Sequence, residues 1–189
     1  MRTIIKFLTV MAFSGWISAS QASVIFVFNE VGSDLVGNLS GTLDLTGASI
    51  SQPASNSSFS AYLRPNEAFL VGGPGANVEY IGYSISGPTS FGSSSDIFAS
   101  YSGDLFTLDG LFGDLRLSSS FTGGALSGTM TLANTAISDL GLTGNNFVFG
   151  LSNGETVTVN FVSQVSAPAT LAIFGLGLAG LGWSRRKKA

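Results

Sequence analysis

The sequence predicts an all-β body, either an antiparallel β-sandwich or a barrel-like sheet, and two observations predict it. Between residues 23 and 163 the large apolar side chains recur at a period of two. The runs are also short, separated by Gly, Ser, Asn and Pro, and none carries a helical period.

The elements follow in order. A first strand is expected over 24–28. Residues 34–46 alternate, with Leu35, Leu39, Leu43 and Leu45 on one face and Val36, Asn38, Ser40, Thr42, Asp44 and Thr46 on the other. Further runs fall at 59–63, 68–71, 78–85, 97–101, 111–117 and 146–151. Leu126, Met130 and Leu132 alternate with Ser127, Thr129 and Thr131, and Val157, Val159 and Phe161 with Thr156, Thr158 and Asn160. About ten short strands of this kind make a sandwich or a barrel. The frequent Ser and Thr predict a polar, uncharged outer face. The segment Gly37-Asn38-Leu39-Ser40-Gly41-Thr42-Leu43-Asp44-Leu45 returns loosely as Gly124-Ala125-Leu126-Ser127-Gly128-Thr129-Met130-Thr131-Leu132. Duplication and coincidence both account for one such pair in a chain of this composition.

Composition excludes more than it suggests. The chain has 189 residues, enough for one domain with a real core, but only 10% are charged and there is no Cys and no His. Disulfides, thiol catalysis, Ser-His-Asp triads and imidazole metal sites are therefore absent. All eleven acids lie between Glu30 and Glu155, where Arg64 and Arg116 are the only bases. A body carrying that excess of negative charge repels phosphates, so nucleic acid is not an expected partner.

The other six bases mark the two ends. Arg2 and Lys6 precede an uncharged apolar run at 7–17, too short to span a bilayer as a helix, and then Ser18-Ala19-Ser20-Gln21-Ala22. Charge, apolar run and small residues at the −3 and −1 positions are the layout of a secretory signal peptide. Residues 1–22 are thus expected as a signal helix, cleaved between Ala22 and Ser23, ahead of a secreted domain at 23–163. At the other end, residues 165–184 carry no charge and run directly into Arg185, Arg186, Lys187 and Lys188. A helix of that length covers about 30 Å, the thickness of the hydrocarbon core. Cations behind it resist translocation and act as a basic stop, leaving the body outside and the tail inside.

The C-terminal residues Val165, Ser166, Ala167, Pro168, Ala169 and Thr170, the Gly/Leu/Ala-rich stretch after them and the Arg-Arg-Lys-Lys tail resemble a PEP-CTERM sorting signal. That signal orders a Pro-containing motif, a transmembrane helix and a basic cluster. Here its usual Val-Pro-Glu-Pro reads Val-Ser-Ala-Pro. The resemblance implies an exported protein of a Gram-negative bacterium that makes exopolysaccharide, crossing the inner membrane. It also implies an exosortase-type sorting enzyme as partner, a membrane-embedded cysteine transpeptidase-like protein. The chain would then be anchored by a single span, transiently or lastingly, before reaching the cell surface or the biofilm matrix. Exopolysaccharide is a partner that the same context suggests.

No residues stand out as catalytic, cofactor-binding or metal-ligating. A Ser nucleophile has no partner base here. The acids Asp104, Asp109, Asp114, Glu67 and Glu79 could supply a carboxylate pair for glycoside hydrolysis, although acids at strand ends and turns are ordinarily solvated. The spacing of Asp104, Asp109 and Asp114 does not fit a calcium loop, and Asp109-Gly110 fits a hairpin turn better. Tyr62, Tyr80 and Tyr83 are the candidate sugar-facing aromatics. Three readings follow: a non-enzymatic surface or matrix protein first, a secreted glycan-binding module second, and a carboxylate-dependent glycoside hydrolase last.

Overall fold

The computed structural model describes residues 23–73 and 77–163. They form thirteen strands: β1 (Ser23–Val31), β2 (Asp34–Leu43), β3 (Ile50–Ser58), β4 (Tyr62–Arg64), β5 (Phe69–Gly72), β6 (Asn77–Ser86), β7 (Ile97–Phe98), β8 (Ser100–Gly103), β9 (Phe106–Asp109), β10 (Asp114–Ser118), β11 (Gly124–Leu132), β12 (Asn146–Leu151) and β13 (Thr156–Val162). Short 3-10 turns at Pro65–Glu67 and Ile137–Leu140 interrupt them. Hydrogen bonding runs in the order β7-β4-β5-β9-β10-β6-β12-β13-β1-β2-β11-β8, with β3 laid along β6. The two ends of that path, β7 and β8, are separated in sequence by Ala99 alone. The sheet therefore returns on itself as a nearly closed, barrel-like structure, which leaves few open edges.

The expected alternation is present. Val24, Phe26 and Phe28 of β1, Leu35, Leu39 and Leu43 of β2, Leu126, Met130 and Leu132 of β11 and Val157, Val159 and Phe161 of β13 are all buried. Their polar neighbours face outward, as period-two geometry requires. Three details differ from the sequence expectation. The first and last strands of the body, β1 and β13, pair in parallel, from Ser23 opposite Thr156 to Asn29 opposite Val162, so the sheet is not wholly antiparallel. No tight turn joins them, so no turn dictates their direction. Two strands carry no alternation to read. β3 (ISQPASNSS) is exposed along most of its length and has register shifts beside Pro53, as an edge strand permits. β9 (FTLD) is buried at every residue. Finally, 59–61 and 111–113 are connections rather than strand, and the reversal expected at Asp109-Gly110 joins β9 to β10.

Aromatic packing organises the interior. The Phe28 ring stacks on Phe26 at 4.8 Å and on Phe161 at 4.9 Å. Phe91 meets Phe147, Phe149 and Phe161 edge-on, with centroids 5.0, 6.0 and 5.9 Å away. Gly37 lies opposite Phe28, and a Cβ there would stand 2.5 Å from the Phe28 ring. The two similar segments noted in the sequence become partners. β2 and β11 are antiparallel neighbours, with Ser40 opposite Ser127, Leu39 opposite Gly128 and Gly41 opposite Leu126. The two Leu-Ser-Gly stretches are thus related by a local twofold axis through the serine pair, each leucine facing the other's glycine.

The seam is sealed by Tyr101 on β8. Its ring lies against Gly72 of β5 and Gly128 of β11, and its hydroxyl donates to the Asp104 carbonyl at 2.5 Å. Burial holds this phenol protonated well above the ordinary tyrosine range. A Cβ at Gly128 would approach Tyr101 Cζ to 2.7 Å, and one at Gly72 would approach its Cε2 to 2.6 Å. Gly128→Val is expected to cost about 1–3 kcal/mol by overpacking. Denaturant melts of the variant check this, and an unchanged midpoint would mean that Tyr101 does not close the sheet.

Candidate functional site

The outward face of β5, β9, β10 and β6 is not the plain polar surface that composition suggests. The inward residues of these strands, Leu70, Phe106, Leu108, Leu115 and Leu117, sit in the main core. Alternate residues point the other way and form cross-strand rows. One row runs Phe69, Asp109, Asp114, Ser84; the next runs Val71, Thr107, Arg116, Gly82, Gln52. A small apolar cluster of Phe59, Val71 and Leu105, flanked by Tyr62, Phe69, Val78 and Tyr80, covers part of this face.

Asp109 and Asp114 are therefore direct cross-strand partners, 5% and 3% exposed. This corrects the expectation that these acids are solvated. Two buried carboxylates side by side repel each other, and Arg116 offsets that. Its Nε–H donates to Asp114 Oδ2 at 2.6 Å, and its Nη2 lies 3.9 Å from Asp109 Oδ2. The Ser51 hydroxyl of β3 donates to the other Asp114 oxygen, Oδ1. The Phe112 backbone N–H donates to Asp109 Oδ1 at 3.0 Å, which ties the β9–β10 turn to the carboxylate. Desolvation pushes the Asp109 carboxyl above the usual range, partly opposed by that bond and by Arg116. Gly82 makes room: a Cβ there would stand 2.5 Å from Asp114 Oδ1 and 2.9 Å from the Ser51 hydroxyl. Above Arg116, the Tyr80 ring lies 5.7 Å from the guanidinium carbon, and the Tyr80 hydroxyl donates to Gln52 Oε1 at 3.3 Å.

A cleft of about 390 Å³ opens beside this cluster, lined by Ser51, Gln52, Phe112, Asp114 and Arg116. Phe112 is 79% exposed at the tip of the hairpin. A wider depression of about 520 Å³ lies at the 93–97 and 134–139 loops, but its acids are engaged locally: Asp96 with Arg64, and Asp139 with the Ala136 N–H at 2.9 Å.

The other sequence-derived candidates are dispersed. Asp104 accepts from the Ser127 N–H at 2.8 Å, Glu67 from Arg64 at 2.7 Å and Glu79 from Ser119 at 2.7 Å. Among the described residues no three His, Cys, Asp or Glu side chains converge as metal ligands. The three tyrosines do not form one platform either. Tyr83 is buried in the main core, Tyr62 packs on Phe69 at 5.3 Å, and only Tyr80 borders the Arg116 cluster. Ser51, Gln52 and Phe112 escape sequence reasoning. The one available signal is Leu111-Phe112, two large apolar residues placed in a turn.

Ser23, the expected first residue after signal cleavage, is the first residue of β1. Ala22, the sorting motif at 165–170 and the basic stop at 185–188 lie outside the described residues. Among the described residues no helix is long and apolar enough to cross a membrane. No curated protein and no solved structure matches this chain. A family model does match its C-terminal end: residues 164–187 fit the PEP-CTERM protein-sorting motif, beginning two residues beyond the last residue of β13. The chain therefore carries a PEP-CTERM protein-sorting motif at residues 164–187, the mark of an exported protein sorted by an exosortase.

Proposed function

We propose that this is an exported cell-surface or extracellular-matrix protein of no enzymatic activity, held in the inner membrane by one C-terminal span until it is sorted. The matched sorting motif, placed directly after the strand that completes the β body, carries the reading. The body is a finished folding unit, and the segment after it is an address. The carboxylate geometry supports the non-enzymatic part. A glycosidase pair needs one protonated and one ionised carboxyl, both reaching the substrate. Here Asp114 has both oxygens engaged, and Asp109 does not line the cleft.

Two measurements test it. Mass spectrometry of the protein from its host is expected to give an N-terminus at Ser23 and a C-terminus within 167–170, whereas an intact basic tail would indicate a lasting anchor. The purified protein is expected to leave neutral and uronic polysaccharides uncleaved. Turnover abolished by Asp114→Asn would overturn the proposal. Topology is accessible because the chain has no cysteine. Ser33→Cys, exposed in the β1–β2 turn, is expected to react in intact spheroplasts with a maleimide that cannot cross membranes.

A further inference from the structure

We infer that the cleft between β3 and the β9–β10 turn binds a neutral saccharide, which rests on the surface or matrix role proposed above and names its partner class. Three observations carry the inference. The cleft volume, about 390 Å³, falls within the range of small-molecule sites. Its lining differs in kind: Phe112 offers an aromatic side chain at 79% exposure, while Arg116 and Gln52 offer polar groups. A sugar ring has that same division, with an apolar C–H face and a rim of hydroxyls, and aromatic faces attract such polarised C–H groups.

The third observation is unspent hydrogen-bonding capacity. A guanidinium has five N–H donors. Among the described residues, only the Nε–H of Arg116 has an acceptor within hydrogen-bond distance, although the side chain is just 20% exposed. Gln52 uses only its carbonyl oxygen, leaving the amide N–H groups free among the described residues. These cleft-side N–H groups keep contact with solvent, so a ligand's hydroxyl oxygens can replace water as their acceptors. By contrast Arg64, the other body arginine, is satisfied by Asp96 and Glu67.

Charge selects the saccharide class. Asp109, Asp114 and Arg116 together leave the site with one surplus negative charge when both acids are ionised, inside a body with eleven acids and two bases. A uronic or sulfated polymer is repelled by that field, whereas a neutral hexose chain is not.

The test uses the full chain in detergent micelles, titrated with neutral gluco-, manno- and galacto-oligosaccharides and, separately, with an oligouronate. Binding of at least one neutral oligosaccharide is expected to shift the Arg116 Nε–H resonance and leave that of Arg64 in place. Phe112→Ala, at an exposed turn position that the fold does not need, is expected to weaken this binding at least tenfold. No binding of any neutral oligosaccharide, binding indifferent to Phe112→Ala, or binding confined to the oligouronate would each overturn the inference. None of those results bears on the processed termini, so the proposed surface role fails or stands separately.

Discussion

Replacing Arg116 by Met is expected to destabilise the body by about 3–5 kcal/mol at neutral pH, the usual cost of removing one partner from a buried ionic cluster. The reason is specific. Met matches much of the arginine's apolar stem, so packing changes little, but Asp109 and Asp114 lose the only cation beside them among the described residues. Their side chains are 7% and 5% exposed, so water does little to screen the two charges. The loss should depend on pH with a definite sign. Burial already raises the Asp109 carboxyl, and loss of Arg116, which opposes that rise, raises it further in the variant. In the window between the ordinary carboxylate range, near pH 4, and the raised folded value of Asp109, the folded state holds more protons than the unfolded state. Stability of the variant therefore falls as pH rises through that window and recovers on acidification. Urea melts at about pH 4 and 7 decide the matter, and a deficit equal at both would show that repulsion is not the cause. Asp109→Asn in the same background removes one of the two charges, and is expected to return much of the stability at neutral pH.

Phe28→Ala is expected to cost about 3–5 kcal/mol, at the upper end of core truncations. Its ring is fully buried between Phe26 and Phe161 and fills the space that Gly37 leaves open across the strand pair. Because β1 joins the C-terminal strand β13 on one side and β2 on the other, few neighbours can move to refill the void. Denaturation monitored by tyrosine fluorescence would measure the loss, since both Trp residues, Trp16 and Trp183, lie outside the body. A cost below about 1 kcal/mol would mean that the site collapses freely, and that the aromatic stack does not organise the core. Adding Gly37→Val to Phe28→Ala offers a further check. The valine is harmful alone, but is expected to regain part of the deficit once the ring is gone.

Where side chains alternate, the body was readable from the chain alone. The buried faces of β1, β2, β11 and β13 follow from period two, because one side of each strand meets the core and the other meets solvent. β9 escaped because it is covered on both faces, and β3 because it is largely exposed. Neither produces a contrast along the sequence. The Asp109–Asp114–Arg116 cluster was half visible. All three residues and the turn at Gly110 lie close together in sequence, yet their burial depends on Ser51 and Gln52 arriving on β3, about sixty residues earlier. Tyr83 shows the reverse error: a tyrosine offered as a sugar platform faces the core instead.

The sequence by itself determined the β class of the body and the sorting motif that follows it. A sorting motif acts locally and in linear order, so it can be read without a fold. The strand pattern has the same local character. Closure of the sheet, the parallel union of first and last strands, and the cleft with its half-used arginine were decided only by the tertiary structure. Each depends on the register between segments far apart in the chain, which no local pattern encodes.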